Sequence, residues 1–94
     1  MRIAGREVVT AFMAKHARSS KQLGAWLAEA ERGSWKTPLD IKNRYRSADF
    51  LSDNRVIFDI AGNNYRLVVK IAYQIGIVQV QWIGTHAEYD RKKF

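Results

Sequence analysis

The side chains best suited to acid–base chemistry lie close together near the end of the chain, at His86, Tyr89 and Asp90. The segment from Thr85 to Glu88 has the form of a capping box, in which a threonine hydroxyl and a glutamate three residues later cap a helix. If a helix begins there, the three side chains occupy positions i, i+3 and i+4 and share one face. An imidazole, a phenol and a carboxylate in one place can exchange protons with a substrate.

Basic side chains are expected beside this group. Arg91, Lys92 and Lys93 follow it directly, and alternation in an earlier apolar segment places Arg66 and Lys70 on the polar face of a predicted strand. Fixed cations stabilise the negative charge that a phosphorane transition state gains on its equatorial oxygens. Acid–base groups beside cations therefore indicate cleavage of a phosphodiester.

Each of these residues also has a structural interpretation, which the sequence leaves open. His86 could be a first-turn histidine that donates to a backbone carbonyl, Tyr89 a half-buried ring that seals the end of a sheet, and Asp90 a solvated carboxylate. Arg66 and Lys70 could simply keep a strand soluble. The functional interpretation is favoured because all of these groups are expected in one place.

Length and composition indicate an ordered protein of one domain, covering residues 1–94. The chain is 47% hydrophobic, so a core is available, and it has no cysteine. The missing cysteine excludes a disulfide framework and a thiolate metal site, and it is compatible with a reducing cytoplasm. Residues 1–7 lack an apolar signal region, and no apolar run approaches the roughly 20 residues of a membrane helix. We therefore expect a soluble, cytoplasmic protein without a membrane partner.

The strong positive charge predicts an acidic partner, either nucleic acid or an acidic protein. The formal charge is +7 and the pI is about 10.1. Further candidates for contact with RNA phosphates are Arg44, Arg46, Arg55, Arg91, Lys92 and Lys93, and each could instead be a plain solvated charge. No metal or other cofactor is expected, because the two histidines are far apart in sequence and cysteine is absent.

The periodicity of apolar residues predicts two helices, followed by a short helix and then three strands. Helical spacing covers residues 5–16 and about 21–32, and Thr37-Pro38 should begin a short helix that ends near Arg46. The residues that follow, up to Leu51, are interpreted as loop. A period of two then predicts strands at 55–61, 65–73 and 77–83, joined by short turns.

The three strands should form an antiparallel meander with one apolar face, which the helices would cover. Its expected members are Val56, Phe58, Ile60, Leu67, Val69, Ile71, Val78, Val80 and Trp82. The opposite, half-wet face would carry Arg55, Asp59, Arg66, Lys70, Gln79 and Gln81. An ion pair between Arg55 and Asp59 is possible there. Trp26 and Trp35 are expected in the core. The predicted fold is α+β, with two N-terminal helices packed on a three- to four-stranded antiparallel sheet and a short C-terminal helix.

These features together resemble the HigB-type toxins of bacterial toxin–antitoxin systems, within the RelE-like superfamily. The matching residues span about 34–91, and they are Trp35 before the proline-started segment, Tyr45, Ala48-Asp49, Val56-Ile57-Phe58, Gly62-Asn63-x-Tyr65-Arg66, Ile71, Tyr73 and Thr85-His86-x-Glu88-Tyr89-Asp90. The last motif is the most specific of these. The helical N-terminal third is similar in character only.

The resemblance implies an endoribonuclease that cuts mRNA without a metal, typically on the translating ribosome, by attack of the ribose 2′-OH on the adjacent phosphorus. On this sequence His86 would be the leading acid or base, Tyr89 and Asp90 would position it or the RNA, and Arg66 and Lys70 would stabilise the phosphorane. The implied partner is a HigA-like antitoxin with a DNA-binding helix-turn-helix domain, which covers the active face.

Two other functions stay open at this point. A toxin of the same fold could act without catalysis by inhibiting a protein target such as DNA gyrase, and it would not need His86. A basic nucleic-acid-binding adaptor without activity is the third possibility, and it would show steeply salt-dependent binding.

Overall fold

The computed structural model of the protein describes residues 1–92 and residue 94, and within them it contains five strands and four α-helices. In chain order the elements are β1 (Arg2–Ala4), α1 (Arg6–Lys15), a 3₁₀ turn (Ala17–Ser19), α2 (Ser20–Arg32), α3 (Pro38–Arg44), β2 (Asp49–Leu51), β3 (Arg55–Ile60), β4 (Tyr65–Ala72), β5 (Ile77–Thr85) and α4 (His86–Asp90).

The strands form one mixed sheet in the order β1-β5-β4-β3-β2. Strands β2 to β5 are antiparallel neighbours, and β1 pairs with β5 in parallel. The predicted α+β class and the antiparallel meander are confirmed, whereas a sheet of three or four purely antiparallel strands is wrong. The two additional strands, β1 and β2, have only three residues each, too few to show a period of two.

Tertiary contacts rather than local pattern hold β1 in place. The ammonium group of Met1 donates to the carbonyls of Ala30, Glu31 and Gly33 at the end of α2, at 3.0, 2.8 and 2.8 Å. Helices leave their last carbonyls unpaired, and a cation at that end is favourable. This contact fixes the chain beside β5 before α1 begins.

The main core lies between the sheet and the helices. The predicted apolar face is buried as expected from Val56 to Val80, and α2 adds Leu23, Trp26, Leu27 and Ala30. Trp26 and Trp35 are 2% and 8% exposed, so their assignment to the core is confirmed. Trp82 is the exception on the predicted face.

A register shift between β4 and β5 moves Trp82 to the opposite face of the sheet. Val69 pairs with Val80, but its neighbour Val68 pairs with Trp82, so one extra residue of β5 is accommodated between them. Such a bulge reverses the alternation of side chains beyond it. Ile83 consequently packs against the main core in place of Trp82.

The opposite face of the sheet is less exposed to solvent than its sequence indicates. Ile57 and Val68 are adjacent across β3 and β4 and are 2% and 0% exposed. Helix α4 contacts β4 and β5, and its Tyr89 ring lies on this face beside Trp82. A small second apolar cluster therefore supports α4 on the side of the sheet away from α1 and α2.

None of the helices in the described part of the chain is long and apolar enough to cross a membrane.

Candidate active site

The position of His86 is fixed by the turn from β5 into α4. The Thr85 hydroxyl accepts from the Glu88 amide at 3.1 Å, and the Glu88 carboxylate accepts from the Thr85 amide at 2.8 Å, so the predicted capping box is present. These bonds to Thr85 lower the pKa of Glu88. The backbone amide of His86 also donates to the Asn64 carbonyl at 3.1 Å. Two neighbouring segments therefore hold His86 at the first position of α4.

The imidazole of His86 lies between a carboxylate and a guanidinium. Its Nδ1 is 3.2 Å from Asp90 Oδ2, and its Nε2 is 3.1 Å from Arg66 Nη2. Because a guanidinium can only donate, Nε2 must accept, and the ring proton of a neutral imidazole must be on Nδ1, the nitrogen that faces the Asp90 carboxylate. Asp90 thus selects the tautomer that leaves a lone pair on Nε2.

Arg66 is the central cation of this site. On β4 it lies between Asp59 of β3 and Gly84 of β5. Its Nε is 3.3 Å from Asp59 Oδ1, without the angle of a hydrogen bond, and its Nη1 is 3.9 Å from Asp49 Oδ2. The Arg66 and Asp59 side chains are only 18% and 14% exposed, so water screens this ion pair weakly.

The Tyr89 ring completes the enclosure of Arg66. The guanidinium carbon of Arg66 lies 4.7 Å from the centre of that ring, within the range of a cation–π contact. The structure therefore brings together four of the five predicted catalytic residues, namely His86, Tyr89, Asp90 and Arg66.

Asp59 and Asp49 are additional members that the sequence did not assign to the site. The proposed Arg55–Asp59 pair is wrong, since Asp59 pairs with Arg66 and the Arg55 Nε donates to the Ser52 carbonyl at 3.2 Å. The pairing of Asp59 with Arg66 could have been predicted from the turn at 61–64. A hairpin closed by that turn pairs Ile60 with Tyr65 and therefore Asp59 with Arg66. No local signal indicated Asp49, since its strand was interpreted as loop.

Lys70 is not brought to His86. It lies four residues from Arg66 on the same face of β4, which is about 13 Å along a strand. Its ammonium pairs with Asp53 at 2.9 Å, and this hydrogen bond lowers the pKa of the Asp53 carboxyl. Lys70 therefore lies at a distance from His86.

The predicted RNA-binding residues fall into two groups. Arg91 and Lys92 follow α4 directly and are exposed beside the site. Arg44 and Arg46 are exposed near the end of α3, and Arg55 is half-buried at the start of β3. Lys93 lies outside the described residues.

Arg44 belongs to a separate polar cluster. Its guanidinium and the Tyr45 hydroxyl both donate to the Glu29 carboxylate. The hydrogen bond from Tyr45 lowers the pKa of Glu29, and burial together with this bond raises the pKa of Tyr45. This cluster lines a pocket of about 210 Å³ between α2 and the end of β3.

No three histidine, aspartate or glutamate side chains lie close enough together to hold a metal ion within residues 1–92 and 94.

Comparison with known proteins assigns most of the chain to one family. The model of the family described as HigB_toxin, RelE-like toxic component of a toxin-antitoxin system, matches residues 19–92. The matched range includes every residue of the His86 site and leaves out β1 and α1. A search of curated proteins finds no match.

Proposed function

We propose that this chain, which belongs to the HigB family of RelE-like toxins, is a metal-independent endoribonuclease that cleaves mRNA. Membership makes it the toxic component of a toxin–antitoxin system and implies an antitoxin as its partner. The observation that carries the proposed activity is the row of contacts from Asp90 through His86 to Arg66, with Tyr89 against the guanidinium.

The first step is removal of the proton from the ribose 2′-OH. The lone pair on His86 Nε2 is the base, and Asp90 stabilises the imidazolium that forms because its carboxylate lies 3.2 Å from Nδ1. In the free protein this lone pair is occupied by Arg66. The base therefore becomes available when Arg66 turns towards a phosphate.

The second step is attack of the 2′-oxygen on phosphorus. A phosphate that enters beside Arg66 competes with Asp49 and Asp59 for the guanidinium, and it gains the bidentate contact that this group makes well. Charge that develops on the phosphorane oxygens strengthens this contact. Arg66 thus couples binding of the phosphate to release of the His86 lone pair.

The third step is departure of the 5′-oxygen, which needs a proton. Our candidate donor is the Tyr89 hydroxyl, because the Tyr89 ring lies against Arg66 and so beside the phosphate that Arg66 would bind. The products are a 2′,3′-cyclic phosphate and a 5′-hydroxyl. Arg91 and Lys92 would bind phosphates near the site, and Lys70, Arg55, Arg44 and Arg46 would bind more distant ones.

The partners are proposed in finer detail as well. We propose a HigA-like antitoxin with a DNA-binding helix-turn-helix domain, and cleavage of mRNA on the translating ribosome. The charge of +7 should make association with an acidic antitoxin or with RNA fast and sensitive to salt.

Induced expression in a bacterial host tests the proposed function, with primer-extension mapping of several abundant mRNAs. Wild type should produce new cuts within coding regions, and His86→Ala should produce none. The matched control is His16→Ala, because the other histidine stacks at 4.2 Å on Phe12, which packs against the main core. Growth arrest without any new cut would reject the nuclease and favour inhibition of a protein target.

A further inference from the structure

The structure contains an aromatic cluster beside the candidate active site, and the proposed mechanism uses only one of its three rings. The rings of Trp82 and Phe94 are 5.5 Å apart between centres, and those of Trp82 and Tyr89 are 6.1 Å apart. Tyr89 and Phe94 are stacked, with an interplanar angle of 12°. We call Trp82, Tyr89 and Phe94 the aromatic platform. It lies outside the main core.

Two features of β5 place the Trp82 ring in this position. The bulge turns Trp82 to the face that carries Arg66 and His86. Gly84 then leaves space for the ring, since a Cβ at residue 84 would lie only 2.5 and 2.6 Å from Trp82 Cζ2 and Cη2. Without the bulge or the glycine, the indole could not lie along the strand beside α4.

The exposure of Trp82 distinguishes it from the other two tryptophans. Trp26 and Trp35 are 2% and 8% exposed and pack against Phe58, whereas all three rings of the platform are half-buried. A ring that only completed a core would be buried to the same extent as Trp26. Part of the platform is therefore available to a ligand.

The charges around the platform indicate the chemistry of that ligand. Lys92 is exposed, and its ammonium lies 5.8 Å from the centre of the Trp82 ring, while Arg66 lies over Tyr89. Aromatic rings interleaved with cations form the surface on which single-stranded nucleic acids bind, because bases stack on the rings and phosphates contact the cations.

We propose that the aromatic platform, chiefly Trp82, stacks a nucleobase next to the scissile phosphate, and that Lys92 contacts the adjoining phosphate. This inference rests on the proposed cleavage of RNA. The platform would set the register of the bound RNA, so that one particular phosphate reaches Arg66 and His86. Stacking tolerates every base because every base has a π-face, so the platform supplies affinity and register with little preference for sequence.

The test is a binding measurement on His86→Ala protein with a short single-stranded RNA of about ten nucleotides that spans a mapped cleavage site. A 2′-deoxy nucleotide at the cleavage position makes the RNA uncleavable. In a second series of RNAs, the base is removed at each position beside that nucleotide in turn. The affinity for each RNA is measured for the His86→Ala protein, called the parent, and for the parent with Trp82→Leu. Leucine keeps an apolar side chain but has no ring.

We expect Trp82→Leu to weaken binding of the complete RNA by about tenfold to a hundredfold. With the His86→Ala protein, one of the abasic RNAs should bind about as weakly as the complete RNA binds to the protein that also carries Trp82→Leu. Adding Trp82→Leu should not weaken the binding of that abasic RNA further. The matched control is Ile75→Ala, an exposed apolar residue in the turn before β5, which should leave both affinities unchanged. Because Trp26 and Trp35 are buried, quenching of tryptophan fluorescence by the RNA should disappear in Trp82→Phe.

Equal loss for complete and abasic RNAs would overturn the inference, and so would no loss at all, because either result would make Trp82 purely structural. If Trp82→Leu does not fold, the parent still decides, since tight binding of every abasic RNA would overturn the subsite. Cleavage by wild type of an mRNA that contains the same site, on translating ribosomes, is measured in parallel. Absence of cleavage rejects the proposed function, whereas cleavage without coupling between Trp82 and a base rejects only the platform.

Discussion

Arg66 Nη2 lies 3.1 Å from His86 Nε2, so the cation assigned to the phosphate occupies the lone pair assigned to the 2′-OH. The two groups are brought together from β4 and α4, which are far apart in sequence. Under the proposed mechanism, the His86 lone pair stays engaged until an anion attracts the guanidinium.

The Arg66 guanidinium should contribute to activity through its planar geometry as well as through its charge. Arg66→Ala should lower the rate of RNA cleavage by about 10² to 10³-fold, because the phosphorane loses its main cation. Arg66→Lys should recover only a small part of this, since an ammonium cannot make the planar bidentate contact. Single-turnover cleavage rates measure both. Full activity in Arg66→Lys would contradict the bidentate role.

Asp90→Asn should slow cleavage by about tenfold to a hundredfold with little change in the melting temperature. The amide oxygen can still accept from Nδ1, but it no longer stabilises the imidazolium. Asp90 is 61% exposed, so its replacement leaves no buried group unpaired. Cleavage kinetics and thermal unfolding together check this expectation. A large loss of stability with unchanged kinetics would show that Asp90 is only structural.

Asp59→Asn should lower the free energy of unfolding by about 1–3 kcal/mol, because Arg66 is largely buried and would lose its closest carboxylate. The matched control is Asp53→Asn, which removes the exposed partner of Lys70 and should change stability little, because water screens that pair. Urea denaturation of both variants provides the comparison. Equal effects would mean that burial does not strengthen the Arg66 pair.

The hydrogen bond between Tyr45 and Glu29 should make stability depend on pH at both extremes. The pKa of Glu29 is lowered from 4.5, so its contribution is present above pH 4.5 and is lost as the pH falls through the lower folded value. The pKa of Tyr45 is raised from 10.0, so its contribution is present below pH 10 and is lost as the pH rises further.

Tyr45→Phe should remove the dependence due to Tyr45 and weaken the one due to Glu29, which keeps its hydrogen bond from Arg44. The stability difference between wild type and Tyr45→Phe should be largest between about pH 5 and 9 and should shrink on either side. Thermal melts at pH values within this range and on both sides of it measure the difference. A difference that does not vary with pH would show that Tyr45 stabilises the fold by packing alone.

Gly84→Ala should displace the Trp82 ring, because the added Cβ would lie within 2.6 Å of two of its atoms. We expect a loss of about 1–3 kcal/mol of stability together with weaker binding of RNA. The matched control is Gly24→Ala within α2, where the Cβ would meet only Met13 at 3.8 Å. That substitution should stabilise the protein by about 0.5–1 kcal/mol, and a similar gain at Gly84 would refute the close contact.

The parts of the fold that could be predicted are those set by local pattern. The period of two placed β3, β4 and β5, and the threonine caps placed the starts of α3 and α4. Strands β1 and β2 were missed because three residues show no period and their pairing depends on distant segments. Trp82 was assigned to the wrong face because a bulge is a tertiary feature that alternation does not show.

In the candidate site, too, the residues set by local spacing could be predicted and those set by tertiary structure could not. His86, Tyr89 and Asp90 were predicted together because one turn of helix determines their spacing. Arg66 lies beside His86, whereas Lys70 was grouped with Arg66 because both lie on one face of β4, although about 13 Å of strand separates them. Asp49 was not recognised because its strand was missed. The roles of all of these residues in catalysis stay predictions.

The chemistry of the cut ends tests the central claim most directly. Purified toxin, freed from its antitoxin, is incubated with ribosomes translating a defined mRNA, and the new ends are analysed. We expect a 2′,3′-cyclic phosphate and a 5′-hydroxyl with wild type, no cut when the nucleotide at the cleavage position is 2′-deoxy, and none with His86→Ala. Cleavage of the 2′-deoxy substrate, or undiminished cleavage by His86→Ala, would contradict attack by a 2′-OH that His86 activates.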